Sequence, residues 1–214
     1  HPTLGVLSPA RFLPLAEETG LIVAIGRQVL LAACHDCLRW RQSGHPYMRV
    51  AVNVSSRQFS HDDLLATVQA CLDASGLPPD ALELEITESL SIELFEQAPE
   101  SLQHLRDMGV RLSIDDFGTG YSSLSYLRNM AVNKLKIDRS FIERVPGERQ
   151  DADLARMIIS LGRILDMTVV GEGIETEAQR QFLLEQGCHI GQGYLFSRPL
   201  PADQLIAFIR QHNS

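Results

Sequence analysis

Six short, apolar, β-prone runs alternate with helical stretches along this 214-residue chain, and that alternation constrains its fold more than any other feature. The runs are Val50–Ser55, Leu82–Thr87, Val110–Asp116, Lys134–Asp138, Thr168–Glu172 and Ile190–Tyr194. Strands separated by helices pair in parallel, because each helix carries the chain back to the same end of the sheet. Every run ends in, or just before, a residue able to hold a metal or a phosphate. These are Asn53, Glu85, Asp115 with Asp116, Lys136 with Asp138, Glu172, and Gln192. If the sheet closes into a barrel, the strand ends converge on one rim, where barrel enzymes keep their chemistry.

The intervening segments read as helices. Ser8-Pro9 predicts a helix start running to Glu18 and stopping at Gly20; Leu21–Gln42 has apolar residues at helical spacing. Further helices are predicted near Asp62–Ala74, Ile92–Met108, Ser122–Arg128, Ala152–Leu165, Glu177–Glu185 and Ala202–His212, with Gly76, Gly109 and Gly187 placed for left-handed C-caps. Six βα units fall two strands short of the eight in a closed parallel barrel, which typically has about 250 residues. Either the sheet is open, or two strands precede His1.

Length suits one domain from residue 1 to 214, and 44% hydrophobic content is ordinary for a globular protein. No apolar run approaches the ~20 residues that span a bilayer. A net charge of -8 without a basic stripe argues against duplex nucleic acid as a partner. An acidic protein still binds an anionic nucleotide when a divalent cation intervenes. Four cysteines suit a reducing, cytoplasmic setting, and Cys34-His35-Asp36-Cys37 reads as small residues on a helix. The histidines show no zinc spacing.

Asn53, Glu85 and Asp115 supply hard oxygen donors of the kind Mg²⁺ and Mn²⁺ prefer. Asp115-Asp116 either gives one carboxylate to each of two ions or merely caps the turn at Phe117-Gly118-Thr119-Gly120. Lys136 points away from Leu135 and Ile137; facing a barrel interior it needs an anionic partner, at an edge it is simply solvated. Glu172 and Glu175 flank Gly173-Ile174, where a base or second metal ligand would sit. Gln192 lies between Gly191 and Gly193, which let a ligand approach the backbone.

ELEITES (Glu83–Ser89), DDFGTGYSSLSYL (Asp115–Leu127), KLKIDRSFI (Lys134–Ile142), VVGEGIETEAQ (Val169–Gln179) and GQGYLFSRPLP (Gly191–Pro201) resemble the EAL family in order and spacing. SPARFLPLAEETGLI and VAVNVSSRQF are similar to its earlier segments, so the resemblance covers essentially the whole chain. It implies an α/β, TIM-like (β/α)8-type barrel lacking its first two strands in this sequence. The implied activity is hydrolysis of cyclic di-GMP to linear pGpG with Mg²⁺ or Mn²⁺, two ions in the sense of a two-metal site. By the same resemblance Asn53, Glu85, Asp115 and Asp116 are metal ligands. Lys136 orients or deprotonates the attacking water, and Glu172 is the general base or a second-metal ligand. Glu175 and Gln192 support the site, Asp138 neighbours the lysine, and Glu88 braces the loop Phe117–Ser123. The resemblance also implies a homodimer, and sensor or GGDEF cyclase domains fused in the parent protein, which could be tethered to a membrane. The Glu-Ala-Leu tripeptide of the family lies upstream of the segment similar to Thr3–Ile22 and does not occur here. A receptor that binds cyclic di-GMP without turnover is therefore the alternative expectation.

Overall fold

The computed structural model describes residues 2–61, 64–120, 124–130 and 132–212. The chain divides into two compact units, His1–Leu82 and Glu83–Ser214.

In the first unit a 3-10 turn, Pro9–Arg11, precedes α1 (Leu13–Thr19) and α2 (Leu21–Gln42). The single helix expected from Ser8 is broken at Phe12. Ser8 makes no side-chain cap bond and Phe12 is not helical, with φ -123°. Gly20, at φ 77°, takes the left-handed turn that separates α1 from α2. Then come β1 (Val50–Asn53), α3 (Ser56–His61) and α4 (Leu64–Ser75). Helix α4 is the one expected near Asp62–Ala74, whose first two positions lie outside the described residues. Helix α3 was not expected, since its six residues carry no apolar period.

Helix α2 buries Ile22, Gly26, Leu30, Cys34 and Cys37 along one stripe and packs on α4. The two cysteines are therefore small core residues, and both are free thiols. Contrary to the sequence expectation, α2 is long and apolar enough, by length and composition, to cross a membrane. Its single buried stripe is the pattern of a helix covering a globular core.

The second unit is a parallel sheet that begins with β2 (Leu82–Thr87). Helices α5 (Glu88–Gln97) and α6 (Pro99–Asp107) lead to β3 (Arg111–Phe117), and α7 (Leu124–Asn129) to β4 (Lys134–Ile137). Helices α8 (Arg139–Ile142) and α9 (Arg149–Ile164) precede β5 (Thr168–Gly171). Helix α10 (Glu177–Glu185) leads to β6 (Ile190–Gly191), and α11 (Leu205–His212) follows. Strands β2 to β6 lie side by side in chain order, all parallel. This is the α/β architecture expected.

Two expectations need correction. The helix over Ile92–Met108 is two helices, because Pro99 offers no N–H to continue α5 and Ala98 leaves the helical region at φ -145°. The run Ile190–Tyr194 contributes only two ladder residues. The start of the helix expected at Ser122 lies outside the described residues.

Residue alternation sorts the sheet into two faces. Leu84, Ile86, Leu112, Ile114, Leu135 and Ile137 are at most 1% exposed. The last three of these join Ile158, Ile174, Phe182 and Leu183 in one apolar cluster. The opposite face carries Glu83, Glu85, Ser113, Asp115, Lys134 and Lys136. An apolar core on one side thus fixes the register that aims the charged groups on the other.

Helix α9 approaches β5 so closely that a Cβ on Gly162 would lie 2.2 Å from Val169 Cγ2. Gly162→Ala gains about 1 kcal/mol of helix propensity but overpacks a β-branched neighbour, at a cost of about 1–3 kcal/mol. Urea unfolding should show net destabilisation in the native background. In a Val169→Ala background the same change should become neutral or stabilising.

Candidate functional site

Lys136 stands on β4 with its side chain only 5% exposed. Its Nζ lies 2.9 Å from Glu85 Oε1 on β2, 3.0 Å from Asp115 Oδ1 on β3 and 2.7 Å from Glu172 Oε1 just past β5. An ammonium has three N–H donors, and three carboxylates take them. Burial alone would drive the lysine towards neutrality. The hydrogen bond that it donates to Glu172 and the charges of Glu85 and Glu172 outweigh that and lift its pKa above the ordinary lysine value.

The carboxylates respond in the opposite sense to a satisfied ion pair. Burial, reinforced by the charges of Asp115 and Glu85, outweighs the pull of Lys136 and pushes Glu172 up to about 7. Glu85 is raised mainly by burial, against the pull of Lys136, and Asp116 by burial and then by Asp115 and Asp138. Burial is the larger cause; added to it, three carboxylates share one ammonium and a fourth, Asp116, lies beside them. Oxygens of Asp115, Asp116 and Glu172 lie within 4.8 Å of one another, close enough to ligate one metal ion. Hard oxygens with uncompensated charge fit Mg²⁺, Mn²⁺ or Ca²⁺.

Consecutive strand residues normally point to opposite faces, yet Asp115 and Asp116 converge. The backbone explains this. The β3–β4 register shifts between Ile114 and Phe117, and Asp116 takes φ 53°. A bulge of this kind re-aims a side chain. Aspartate is among the few non-glycine residues that tolerate the left-handed region. Asp115 Oδ1 also accepts from Asp116 N at 3.0 Å.

Glu88 is 3% exposed in the first turn of α5, which Thr87 caps. Its Oε2 accepts from Gly118 N at 2.8 Å and Gly120 N at 3.2 Å, tying down the turn after the aspartates. Positions 121–123 of the expected loop lie outside the described residues. Gln192 Nε2 donates to Glu172 Oε1 at 2.6 Å. Glu175 is paired with Arg139 at 2.8 Å. Asp138 caps α8, accepting from Ser140 N at 3.0 Å, and its charge reaches Asp116. Asn53 ends β1 in the first unit, where it is exposed.

Gln179 is a positioning residue that the sequence reading passed over. Buried on α10, its Oε1 accepts from Glu175 N at 2.8 Å and Thr176 N at 2.9 Å, and its Nε2 donates to Glu143 O at 3.0 Å. It fixes the turn that carries Glu172 and Glu175. The signal was the Thr176-x-x-Gln179 capping box. Beside this turn a cavity of about 390 Å³ is lined by Arg139, Glu175, Gln192, Tyr194 and Arg198, with the Arg198 guanidinium 4.7 Å above the Tyr194 ring.

A parallel α/β sheet with carboxylates and a lysine gathered at the carboxyl ends of its strands defines a domain of the (β/α)-barrel class. The EAL domain family matches residues 1–199, and the chain belongs to that family. It is 46% identical over 209 residues to the bifunctional diguanylate cyclase/cyclic di-GMP phosphodiesterase MucR of Pseudomonas aeruginosa, covering 98% of this chain. It spans only 30% of that relative's length. The solved PaMucR phosphodiesterase in complex with c-di-GMP superposes with a TM-score of 0.92 at 47% identity, over 96% of this chain and 83% of that one. A calcium/cy-diGMP complex of Klebsiella pneumoniae BlrP1 gives 0.74 at 30% identity, over 83% of this chain and 44% of that one. The α/β half-barrel of the family is thus the fold of this chain.

Two outcomes test the site. A carboxylate raised from about 4.5 to about 7 stabilises the fold fully below the lower value, and the contribution is lost as pH rises through the upper one. In chelator, Glu172→Gln should therefore raise unfolding free energy more at pH 7.5 than at pH 5, by on the order of 1 kcal/mol. Glu88→Ala should speed amide hydrogen exchange at Gly118 and Gly120 while leaving α9 protected.

Proposed function

We propose that this domain hydrolyses one phosphodiester bond of cyclic di-GMP to linear pGpG with the help of divalent Mg²⁺ or Mn²⁺, two ions when fully loaded. The observation that carries this reading is the anion excess around Lys136, where three carboxylates hold one ammonium and a fourth, Asp116, adjoins them. Glu85, Asp115, Asp116 and Glu172 would hold the cations. Asn53 joins this set on the family resemblance alone. Bound there, the cations supply Lewis-acid polarisation of the phosphoryl oxygens and neutralise the doubly anionic substrate.

The chain's own groups do the rest. Water adds to phosphorus as the ribose oxygen departs, so one proton must leave the water and one must reach the leaving oxygen. Glu172, hydrogen-bonded by both Lys136 and Gln192, is the carboxylate placed to accept the first. Lys136 steadies Glu172, and Gln192 fixes the rotamer of Glu172 through its 2.6 Å hydrogen bond. The cavity beside Gln192 takes the adjoining nucleoside, with Arg139 and Arg198 as cationic groups and Tyr194 as a flat apolar face.

In the whole protein the domain works in the cytoplasm as a homodimer, fused to sensor or GGDEF modules. The test is direct. With Mn²⁺ the wild-type chain should release pGpG, and EDTA should abolish release. Glu172→Ala should lower turnover at least a hundredfold while leaving cyclic di-GMP affinity within about threefold. Binding by the wild-type chain without product would favour the receptor reading instead.

A further inference from the structure

The Glu85–Lys136 link has a copy two residues earlier on the same two strands. Lys134 Nζ lies 2.7 Å from Glu83 Oε1 and 2.6 Å from Glu83 Oε2, and the two residues are 51 apart, the same offset as Glu85 and Lys136. Glu83 is 3% exposed and the Lys134 side chain 25%, so the carboxylate is withdrawn from water and the ammonium partly so. Both links pass over β3, which lies between β2 and β4. There Ser113 is the register partner of Glu85 on one side and Lys134 on the other. Ser113 is 0% exposed, and its Oγ has no hydrogen-bond partner among the described residues. A small side chain at that position leaves room for the two links to cross.

Stability does not explain a second ion pair built on a buried carboxylate, because desolvation cancels most of its attraction and apolar substitutes often serve as well. Its place does. Glu83 and Lys134 bring charges of both signs directly beneath the carboxylate cluster, one pleat from Glu85 and Lys136. We infer that Glu83 and Lys134 are a positioning pair: the link holds β2 and β4 in the stagger that joins Glu85 to Lys136, and its two charges balance the field felt by cations above it. The inference rests on the cation site proposed above.

A field effect has a signature that loosened packing lacks, namely opposite signs for the two partners. Mn²⁺ alone is titrated calorimetrically into the whole chain at one pH and ionic strength, with circular dichroism confirming the fold. Glu83→Gln leaves an uncompensated ammonium and should weaken Mn²⁺ binding roughly tenfold. Lys134→Gln leaves an uncompensated carboxylate and should strengthen it by a similar factor. The double variant should return to within about threefold of wild type. If both single variants weaken binding, or neither moves it, the inference is overturned. If Glu83→Gln does not fold, the sign of the Lys134→Gln shift decides alone. Failure of the wild-type chain to bind Mn²⁺ would overturn the cation site itself, an outcome separate from equal affinities across bound variants.

Discussion

A single buried ammonium held by three carboxylates is the interaction on which the rest of this site depends. Lys136 joins β2, β3 and the end of β5 through Glu85, Asp115 and Glu172. Removing its charge would leave those anions facing each other with little solvent between them, a cost of several kcal/mol. Yet the lysine cannot neutralise them all. Burial first, and then the repulsion of neighbouring carboxylates, raises the pKa values of Glu85, Asp116 and Glu172 against its pull. A cluster that is strongly held but short of positive charge has donors close enough together to ligate a metal ion.

Convergence of the donors comes from backbone irregularity as much as from regular structure. A straight β3 would send Asp115 and Asp116 to opposite faces. The register shift after Ile114 and the left-handed conformation of Asp116 bring both to one place. Glu88 then holds the following turn through two backbone N–H groups, and Gln179 does the same for the turn after Glu172. Each connection next to a carboxylate of the cluster is braced by a buried side chain from a neighbouring helix.

Much of this was legible in the order of residues. β2 and α10 have the bounds that their patterns indicate, because period-2 alternation and a capping box are local signals. Lys136 could be assigned a face from Leu135 and Ile137, but not its partners, which lie on strands dozens of residues away. The same non-locality hid Glu83 and Lys134, whose pairing depends on the stagger across β3. Helix α8 was missed because four residues make too short a pattern. The break at Ala98-Pro99 was overlooked because apolar spacing continues across it. Asp138 also caps α8, a role set by the short helix that follows it.

The most direct measurement is anomalous diffraction at the manganese edge from crystals of the chain soaked in Mn²⁺. The account predicts a peak within ligand distance of Asp115, Asp116 and Glu172, close above the Lys136 ammonium. Manganese bound elsewhere, or a cluster that stays free of it at saturating concentration, would contradict it.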